Sequence, residues 1–416
     1  MDANISSAGG FVSSGELSVE VYDGATRRTV PGAVVSIYNS INGRLIRSFT
    51  TDEAGQVPTV RLESPPLEFS MEPGEGQPYS NYNITVEAEG YEPLNLIDTE
   101  ILPGELALQP LPLSAPVPNE NTEELVVPGN TLFVPSAPKI WEAEIKPVTE
   151  TGEIVLSRVV IPEFIVVHDG VPSDSRAKDY YVRYPDYIKN VASSEIYATW
   201  PDAAIRANVL AIMSFTLNRV YTEWYRGKGY DFTITSSTVY DQKWSYGRTI
   251  FESISQIVDE MNTNFLSRPN VRQPILTQYC DGRNVTCPNW LSQWGSKSLA
   301  DQGLRTIEIL RYYYGSSIFI NTAEEISGVP ISWAGDLSLG SSGSKVRQLQ
   351  EQLNGIANDF PAIPKLNVDG IYGPLTQNSV ERFQSIFGLP VTGTVDYRTW
   401  YKISQIYVGV TGIAEL

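Results

Sequence analysis

The hydrophobic pattern changes along the chain, and this change constrains the fold more than any other feature. Over residues 16–112 apolar side chains alternate with polar ones, as at Leu17, Val19 and Val21, the period-2 pattern of half-buried β-strands. From about residue 200 the apolar side chains recur at helical spacing. A chain of 416 residues with two such patterns predicts two to four domains of different architecture.

Turn signals separate the predicted strands of the first region, among them Asp23-Gly24, Pro31-Gly32 and Asn42-Gly43. The region resembles the carboxypeptidase-regulatory or Cna-B-like immunoglobulin-type sandwich. This resemblance implies a β-sandwich over residues 1–112. Such modules are usually structural, and the region contains no cluster of side chains that suggests catalysis.

Charge is distributed unevenly and excludes one class of partner. The chain has 48 acidic and 30 basic residues, a net charge of −18, whereas phosphate binding needs clustered Lys and Arg, so we expect no nucleic-acid partner. Residues 1–160 hold 23 of the acidic and 8 of the basic side chains. No run of 18 apolar residues predicts a membrane span, and the N-terminus lacks the pattern of an ordinary secretory signal.

Residues 113–160 are rich in proline and glutamate and show little periodicity, which favours an extended segment over a core element. The segment ends in an extended, β-branched run over residues 153–162, a form that a protease active site accepts. It is either a linker or a cleavable pro-segment.

Residues 161–330 predict a mixed α/β domain that contains most of the Trp and Tyr. Helical spacing predicts helices over 202–226, 251–265 and 298–314, and a strand is predicted over 232–239.

Residues 331–416 predict a small α-helical domain. Val346, Leu349 and Leu353 lie on one face of a helix, and Asp369-Gly370 begins a series of glycine turns. The unit resembles the peptidoglycan-binding module of three short helices. The resemblance implies that its binding surface surrounds the Asp369-Gly370 loop, while the apolar positions form its core.

Three ordered motifs in the central region suggest a catalytic domain. The run 187–211 contains Ser194-Glu195 before a helix, 274–282 contains Tyr279, and Ser292-Gln293 begins a Ser-Gln-Trp-Gly motif. Together they resemble the stage II sporulation protein D (SpoIID/LytB) family. The complete arrangement of domains resembles the clostridial spore cortex-lytic enzymes.

This resemblance implies a zymogen stored in the dormant spore. A subtilisin-like protease of the Csp type would cleave it near Val160 and Ile161, and its substrate would be spore cortex peptidoglycan. The implied activity is that of a lytic transglycosylase, in which the muramic acid 6-hydroxyl attacks the anomeric carbon and gives a 1,6-anhydro product.

Glu195 matches the catalytic glutamate of the family. Its neighbours Ile196, Tyr197 and Trp200 form an environment that could raise its pKa and keep a proton available. The alternative is a helix-capping or solvated carboxylate. Asp202 is the nearest other acid, and we expect it to cap the helix that follows.

The resemblance implies that five further residues contact the sugar or stabilise the oxocarbenium ion: Tyr240, Gln242, Tyr279, Ser292 and Gln293. The alternative for each is ordinary packing or a surface hydrogen bond.

Cys280 and Cys287 lie seven positions apart, between Tyr279 and the Ser-Gln-Trp-Gly motif. Some SpoIID-like proteins hold zinc near here, but two sulfurs and the distant His168 do not complete a tetrahedral site. A disulfide that clamps the loop is the first interpretation and free thiols the second. We therefore expect no metal and no cofactor, and a structural role for His168.

Two other functions remain open at this point. An N-acetylmuramoyl-L-alanine amidase usually relies on zinc with histidine ligands, and the chain has one histidine. A non-catalytic wall-binding protein would need the C-terminal module alone.

Overall fold

The structure is a computed structural model, in which the described residues are 13–24, 28–74, 76–116, 123–134, 137–146, 159–323, 325–326, 329–330 and 336–411. Most of the predicted protease-sensitive run, residues 153–158, lies outside these ranges. Within the described part of the chain, no helix is both long enough and apolar enough to cross a membrane.

The N-terminal region forms a sandwich of two sheets, with alternate residues of each strand pointing into a shared core. Leu17, Val19 and Val21 of the first strand are fully buried, as their period-2 spacing predicts. A short helix, α1, spans Glu68–Met71. The strands are β1 (Ser13–Asp23), β2 (Val34–Asn39), β3 (Leu45–Thr50), β4 (Val60–Ser64), β5 (Ser80–Glu87), β6 (Leu94–Ile101), β7 (Leu106–Leu113) and β8 (Glu123–Val126).

The central region packs four helices around one buried helix, α3 (Asp202–Tyr221), with short strands at its edges. The helices are α2 (Tyr184–Glu195), α3 (Asp202–Tyr221), α4 (Glu252–Met261), α5 (Gln293–Asp301) and α6 (Thr306–Tyr314). The strands are β9 (Val160–Ile161), β10 (Phe164–His168), β11 (Asp179–Arg183), β12 (Ile234–Thr235), β13 (Ile250–Phe251), β14 (Asn264–Ser267), β15 (Tyr279–Cys280), β16 (Leu291–Ser292), β17 (Phe319–Thr322), β18 (Glu325–Ile326) and β19 (Val329–Pro330).

The sheets join regions that the sequence separates. The sandwich consists of the sheets β3-β2-β5-β6-β8 and β13-β7-β1-β4. β8 lies beyond the predicted domain end at 112 and pairs parallel with β6, and β13 of the central region pairs antiparallel with β7. The sandwich and the central region therefore share a hydrogen-bonded sheet. The remaining sheets are β11-β10-β12, β14-β17, β15-β16 and β19-β18-β9.

The predicted helices and strand exist, with shorter bounds. α3 begins at Asp202 as predicted and ends at Tyr221 rather than at residue 226. The helix expected over 298–314 is two helices, because Gly303 has a positive φ of 88° between them, a conformation that ends helices. Of the strand expected over 232–239, only Ile234–Thr235 pairs with a neighbour.

The C-terminal region contains three helices, α7 (Ser344–Ile356), α8 (Pro374–Ile386) and α9 (Tyr397–Thr411). Leu349, Val380 and Phe383 are fully buried in its core. The amide of Gln350 closes the turn at Asp369-Gly370, since its Oε1 accepts from Gly370 N at 2.8 Å. α9 packs against α4 and so joins this domain to the central region.

Candidate active site

Glu195 is the last residue of α2, and it is buried, with 2% of its surface exposed. The helix ends here because Ile196 adopts an extended conformation. Oε1 accepts a hydrogen bond from Lys243 N at 2.7 Å. The other carboxylate oxygen, Oε2, is buried and accepts no hydrogen bond of normal geometry from the described part of the chain.

Burial raises the pKa of Glu195 above its ordinary value. The positive charge of Lys139, the hydrogen bond from Lys243 N and the nearby hydroxyl of Tyr279 oppose this rise. A buried carboxyl group with a raised pKa and one unused oxygen can hold a proton and present it to a bound molecule.

Tyr279 lies in β15 beside this carboxylate. The ring is buried, and burial together with the charge of Glu195 raises the pKa of Tyr279 well above 10, so that its hydroxyl stays protonated. That hydroxyl also makes no hydrogen bond of normal geometry to the residues that the structure describes. Tyr279 can therefore donate a hydrogen bond to a ligand in the pocket.

Gln293, at the start of α5, supports the same corner. Its Nε2 donates to the backbone oxygen of Glu195 at 3.1 Å, and its side chain lines the pocket. It thus holds the end of α2 in position.

The neighbouring Ser292 has a different role. Its Oγ accepts from Gly295 N at 2.9 Å and caps α5. A Cβ atom at Gly282 would lie 1.8 Å from this hydroxyl, so the loop packs tightly over it. This geometry favours ordinary packing over a sugar contact for Ser292.

Gln242 is also a packing residue, fully buried between helices. It accepts hydrogen bonds from Tyr187 Oη at 3.1 Å and Thr216 Oγ1 at 2.8 Å, and donates to Ile212 O at 3.2 Å. These bonds fix the position of Gln242, and the backbone N–H of the next residue, Lys243, donates to Glu195.

Tyr240 is half-buried and does not line the pocket, while its backbone oxygen accepts a hydrogen bond from Arg219.

A disulfide joins Cys280 and Cys287 at the edge of the pocket. Within the loop, the carboxylate of Asp281 accepts from the backbone nitrogens of Arg283, Asn284 and Val285. The loop is therefore closed covalently and by hydrogen bonds, and Asp281, though it lines the pocket, is already engaged.

Part of the proline-rich segment packs directly over this site, where a free linker would be exposed. We call residues 128–134 and 137–146 the cover segment. Thr131, Ala137, Pro138 and Lys139 of this segment line the same pocket as Glu195. The remaining cavity has a volume of about 40 Å³, enough for a few water molecules and not for a sugar ring.

Charged pairs hold the cover segment on the central region. Glu142 accepts two hydrogen bonds from Arg219 of α3, at 2.6 and 2.9 Å, and Arg219 also donates to Asp241 at 2.7 Å. Glu144 accepts two from Arg268, both at 2.7 Å. Bidentate pairs of this kind fix geometry as well as adding energy.

Sequence reasoning missed Lys139, Arg219, Asp241 and Lys243. One signal was available for the first of them, since Lys139 and Lys146 are the only lysines among the first 160 residues. The others were not visible, because Arg219 lies within a regular helix and Lys243 acts through its backbone nitrogen.

The predicted cleavage bond lies in β9. Val160 and Ile161 pair parallel with β18, and the side chain of Ile161 is 2% exposed. The backbone is extended, as a protease requires, but this strand must open before a protease can bind it.

His168 lies away from Glu195, in β10. Its Nδ1 is 2.7 Å from Asp179 Oδ1 and its ring stacks on Phe232 with centroids 4.4 Å apart. Among the described residues, no three His, Cys, Asp or Glu side chains are grouped so as to hold a metal ion.

A larger cavity, of about 340 Å³, lies elsewhere, between the sandwich and the central region. Its lining includes Tyr180, Trp244 and Tyr246 and does not include Glu195. We place the candidate site at the smaller pocket, because the buried carboxyl group with the unused oxygen is there.

Comparisons with known proteins identify one domain. Residues 342–403 match the family described as a peptidoglycan binding domain. The zinc D-Ala-D-Ala carboxypeptidase of Streptomyces albus G is 43% identical over 76 residues, which are 18% of this chain and 28% of that protein. The chain thus spans little more than a quarter of this curated relative.

Similarities to solved structures are low and carry no functional argument. The TIE protein of Bacillus anthracis is 22% identical, with a TM-score of 0.19, over 25% of this chain and 17% of that chain. Catechol 1,2-dioxygenase from Acinetobacter sp. ADP1 is 15% identical, with a TM-score of 0.18, over 29% of this chain and 60% of that chain. The chain is a multidomain, cell-wall-related protein with mixed sheets and a C-terminal helical domain of the peptidoglycan-binding type.

Proposed function

We propose that the chain is the zymogen of a lytic transglycosylase that cleaves the bond between MurNAc and GlcNAc in spore cortex peptidoglycan. The observation that carries this proposal is Glu195, a buried carboxyl group with a raised pKa, whose Oε2 accepts no hydrogen bond of normal geometry from the described residues. The resemblance of the central motifs to the SpoIID family, and of the arrangement of domains to the SleC-type cortex-lytic enzymes, supports the choice of reaction.

The protonated Glu195 donates its proton to the glycosidic oxygen as the bond to the anomeric carbon breaks. The anomeric carbon then carries the positive charge of an oxocarbenium-like state. The 6-hydroxyl of the same muramic acid attacks this carbon, and Glu195 takes the proton of that hydroxyl. The product is a 1,6-anhydro ring and a free GlcNAc hydroxyl, with Glu195 protonated again.

A reaction of this type needs one acid, whereas most glycosidases use two carboxylates. Asp281, the other carboxylate among the residues that line the pocket, already accepts three backbone hydrogen bonds. This favours intramolecular attack over hydrolysis with a second carboxylate as base.

The C-terminal domain would hold the enzyme on its polymer. Its match to the peptidoglycan-binding family and its exposed Ile371 and Leu375, beside the Asp369-Gly370 turn, support this role. The curated relative is a zinc D-Ala-D-Ala carboxypeptidase by name, which is consistent with a module that serves more than one kind of enzyme.

Residues 1–160 would keep the uncleaved form inactive until a subtilisin-like, Csp-type protease cuts near Val160 and Ile161 in the spore. The cover segment over Glu195 supports this part of the proposal. The protease and the spore are proposed on the basis of the family resemblance.

Mass spectrometry of cortex digested by the cleaved chain tests the function. Anhydro-muramic ends are the expected result. Free peptide stems without new glycan ends would indicate an amidase instead. Unchanged muropeptides together with wall binding would indicate a non-catalytic wall protein, and either outcome overturns the proposal.

A further inference from the structure

Lys139 of the cover segment points a cation into the candidate active site. Its Nζ donates to the backbone oxygen of Thr238 at 3.2 Å and to that of Asp241. The same atom lies 4.8 Å from the centroid of the Tyr279 ring. Two carbonyl oxygens and an aromatic face are the groups that bind a cation in a protein.

Charges around the ammonium complete this cation site. The negative charges of Glu195 and Asp241 both act on Lys139 and oppose the lowering of its pKa by burial. The positive charge of Arg219 lowers the pKa of Lys139, but Arg219 is paired with Asp241 and Glu142. The groups nearest to Nζ thus favour a positive charge at this position.

The proposed reaction passes through a state with positive charge on the sugar. Groups that stabilise such a state must be directed at the place where the charge develops. Glu195 is the acid of that reaction, so the place lies in the pocket that its carboxyl group lines, and Lys139 lines the same pocket.

We propose that Lys139 is an inhibitory side chain, whose ammonium occupies in the uncleaved chain the position of the positively charged sugar carbon in the transition state. This inference rests on the proposed function for the identity of the cation that is replaced. The pocket formed by Glu195, Tyr279, Thr238 O and Asp241 O is then a site for a cation, in both the latent and the active form.

The segment is anchored on both sides of Lys139. On one side Asn130 Nδ2 donates to Ser193 O at 3.2 Å and Ile196 O at 3.1 Å. On the other side Gln278 Nε2 donates to Ile140 O at 2.7 Å, followed by the pair of Glu142 with Arg219. Cleavage at Val160–Ile161 breaks none of these bonds, so the segment must still dissociate after cleavage.

The first test uses the uncleaved full chain and compares Lys139→Met with Lys146→Met. Both variants replace a lysine of the cover segment by a side chain of similar length without charge, but Lys146 pairs with Glu142 and not with Glu195. Since a hydrogen bond to a charged group is typically worth a factor of about ten or more, we expect Lys139→Met to raise the release of anhydro-muropeptides at least about tenfold. Lys146→Met should raise it by less. Equal rates for the two variants overturn the inference.

The second test measures binding and does not depend on activity. Lys139→Ala removes four side-chain atoms beyond Cβ, the ammonium included, and n-propylammonium supplies an amine on a chain of matching length. We expect n-propylammonium to raise the thermal unfolding temperature of the Lys139→Ala full chain and to bind about tenfold more tightly than neutral n-propanol. The wild-type chain, whose site is filled, should not respond. Equal binding of the amine and the alcohol overturns the inference.

If Lys139→Ala does not fold, the pKa of Glu195 in Lys139→Met, followed by NMR, replaces the binding test. Loss of the ammonium should raise this pKa, and an unchanged value overturns the inference. If the Lys139→Ala chain binds the amine but the cleaved chain releases no anhydro-muropeptides, the cation site stands and the proposed function is wrong. If the cleaved chain releases anhydro-muropeptides but the Lys139→Ala chain does not respond to the amine, the proposed function stands and the cation site is wrong.

Discussion

The C-terminal domain and the central region use buried polar side chains in different ways. In the C-terminal domain, Gln350 and Gln384 each close a nearby turn, at Gly370 and Thr392, 20 and 8 positions away. In the central region, Arg219 binds Glu142 from 77 positions away, and Arg248 binds Glu100 from 148 positions away. The first domain is specified by short local patterns, whereas the second depends on charges brought together from distant segments.

This difference is consistent with the match of residues 342–403 to one family, whereas the resemblance of the central region rests on three separate motifs. A glutamine that closes a turn belongs to the same short segment as the turn, so the whole motif is visible in one stretch of sequence. A buried ion pair between distant residues is costly to form and leaves no local pattern. The candidate active site lies in the second kind of environment.

The largest effect is expected from Glu195→Gln in the cleaved chain. Glutamine keeps an oxygen that can accept from Lys243 N but cannot donate a proton to a glycosidic oxygen, so the release of anhydro-muropeptides should fall by about a thousandfold. Sedimentation with purified cortex should be unchanged, because the C-terminal domain is separate from this site. Retained activity would contradict the proposed role of Glu195, and joint loss of binding would contradict the independence of the two regions.

The second comparison is between two arginines. Arg219→Met leaves Asp241 and Glu142 buried without their partner, and we expect the free energy of unfolding of the full chain to fall by about 3–5 kcal/mol. Arg347→Met in the C-terminal domain removes exposed hydrogen bonds to Val368 and Asp369 and should cost less than about 1 kcal/mol. Urea unfolding followed by tryptophan fluorescence measures both, and equal losses would remove the distinction between the regions.

A smaller effect is expected from the Cys280–Cys287 disulfide. It links two residues that are seven positions apart in the sequence. For a loop of this length the chain-entropy model predicts a contribution to stability of about 2 kcal/mol. Replacing both cysteines by serine should lower the stability of the central region by that amount and loosen Tyr279 beside Glu195. Hydrogen exchange of the 280–287 loop should rise, while that of α7 and α8 stays unchanged, and a rise in both domains would contradict the prediction.

The smallest effects are the dependences of stability on pH, which should have opposite signs in the two regions. Burial raises the pKa of Glu195, so its contribution to stability is present below the pKa of the unfolded chain and is lost as pH rises through the folded value. The Ile371 N–H lowers the pKa of Asp369, so its contribution is present above the unfolded pKa and is lost as pH falls through the folded value.

Full chains carrying Glu195→Gln or Asp369→Asn, compared with wild type by urea unfolding at several pH values, measure these contributions. Relative to its variant, the wild type should become less stable with rising pH for Glu195 and more stable for Asp369. The same sign for both would show that the two carboxyl groups lie in similar environments.

Much of the fold follows from residue patterns. Alternation predicted the strands of the sandwich, as at Leu17, Val19 and Val21, and helical spacing predicted α3 from its first residue, Asp202. In the site, motif matching identified Glu195, Tyr279 and Gln293, which the structure brings together in one pocket. It also selected Ser292 and Gln242, which cap a helix and bridge helices instead, because a motif does not distinguish a residue that touches a ligand from one that supports its neighbours.

Residue patterns located the strands of the sandwich, the start of α3, the segment that forms the C-terminal domain and the candidate acid. That β13 joins the sandwich, that the cover segment lies over Glu195 and that Lys139 enters the pocket became visible in the folded chain alone. Periodicity reports which side of an element avoids water, but it does not report what covers that side. For a buried charge, the covering partner comes from a segment about a hundred residues away, as Thr238 does for Lys139.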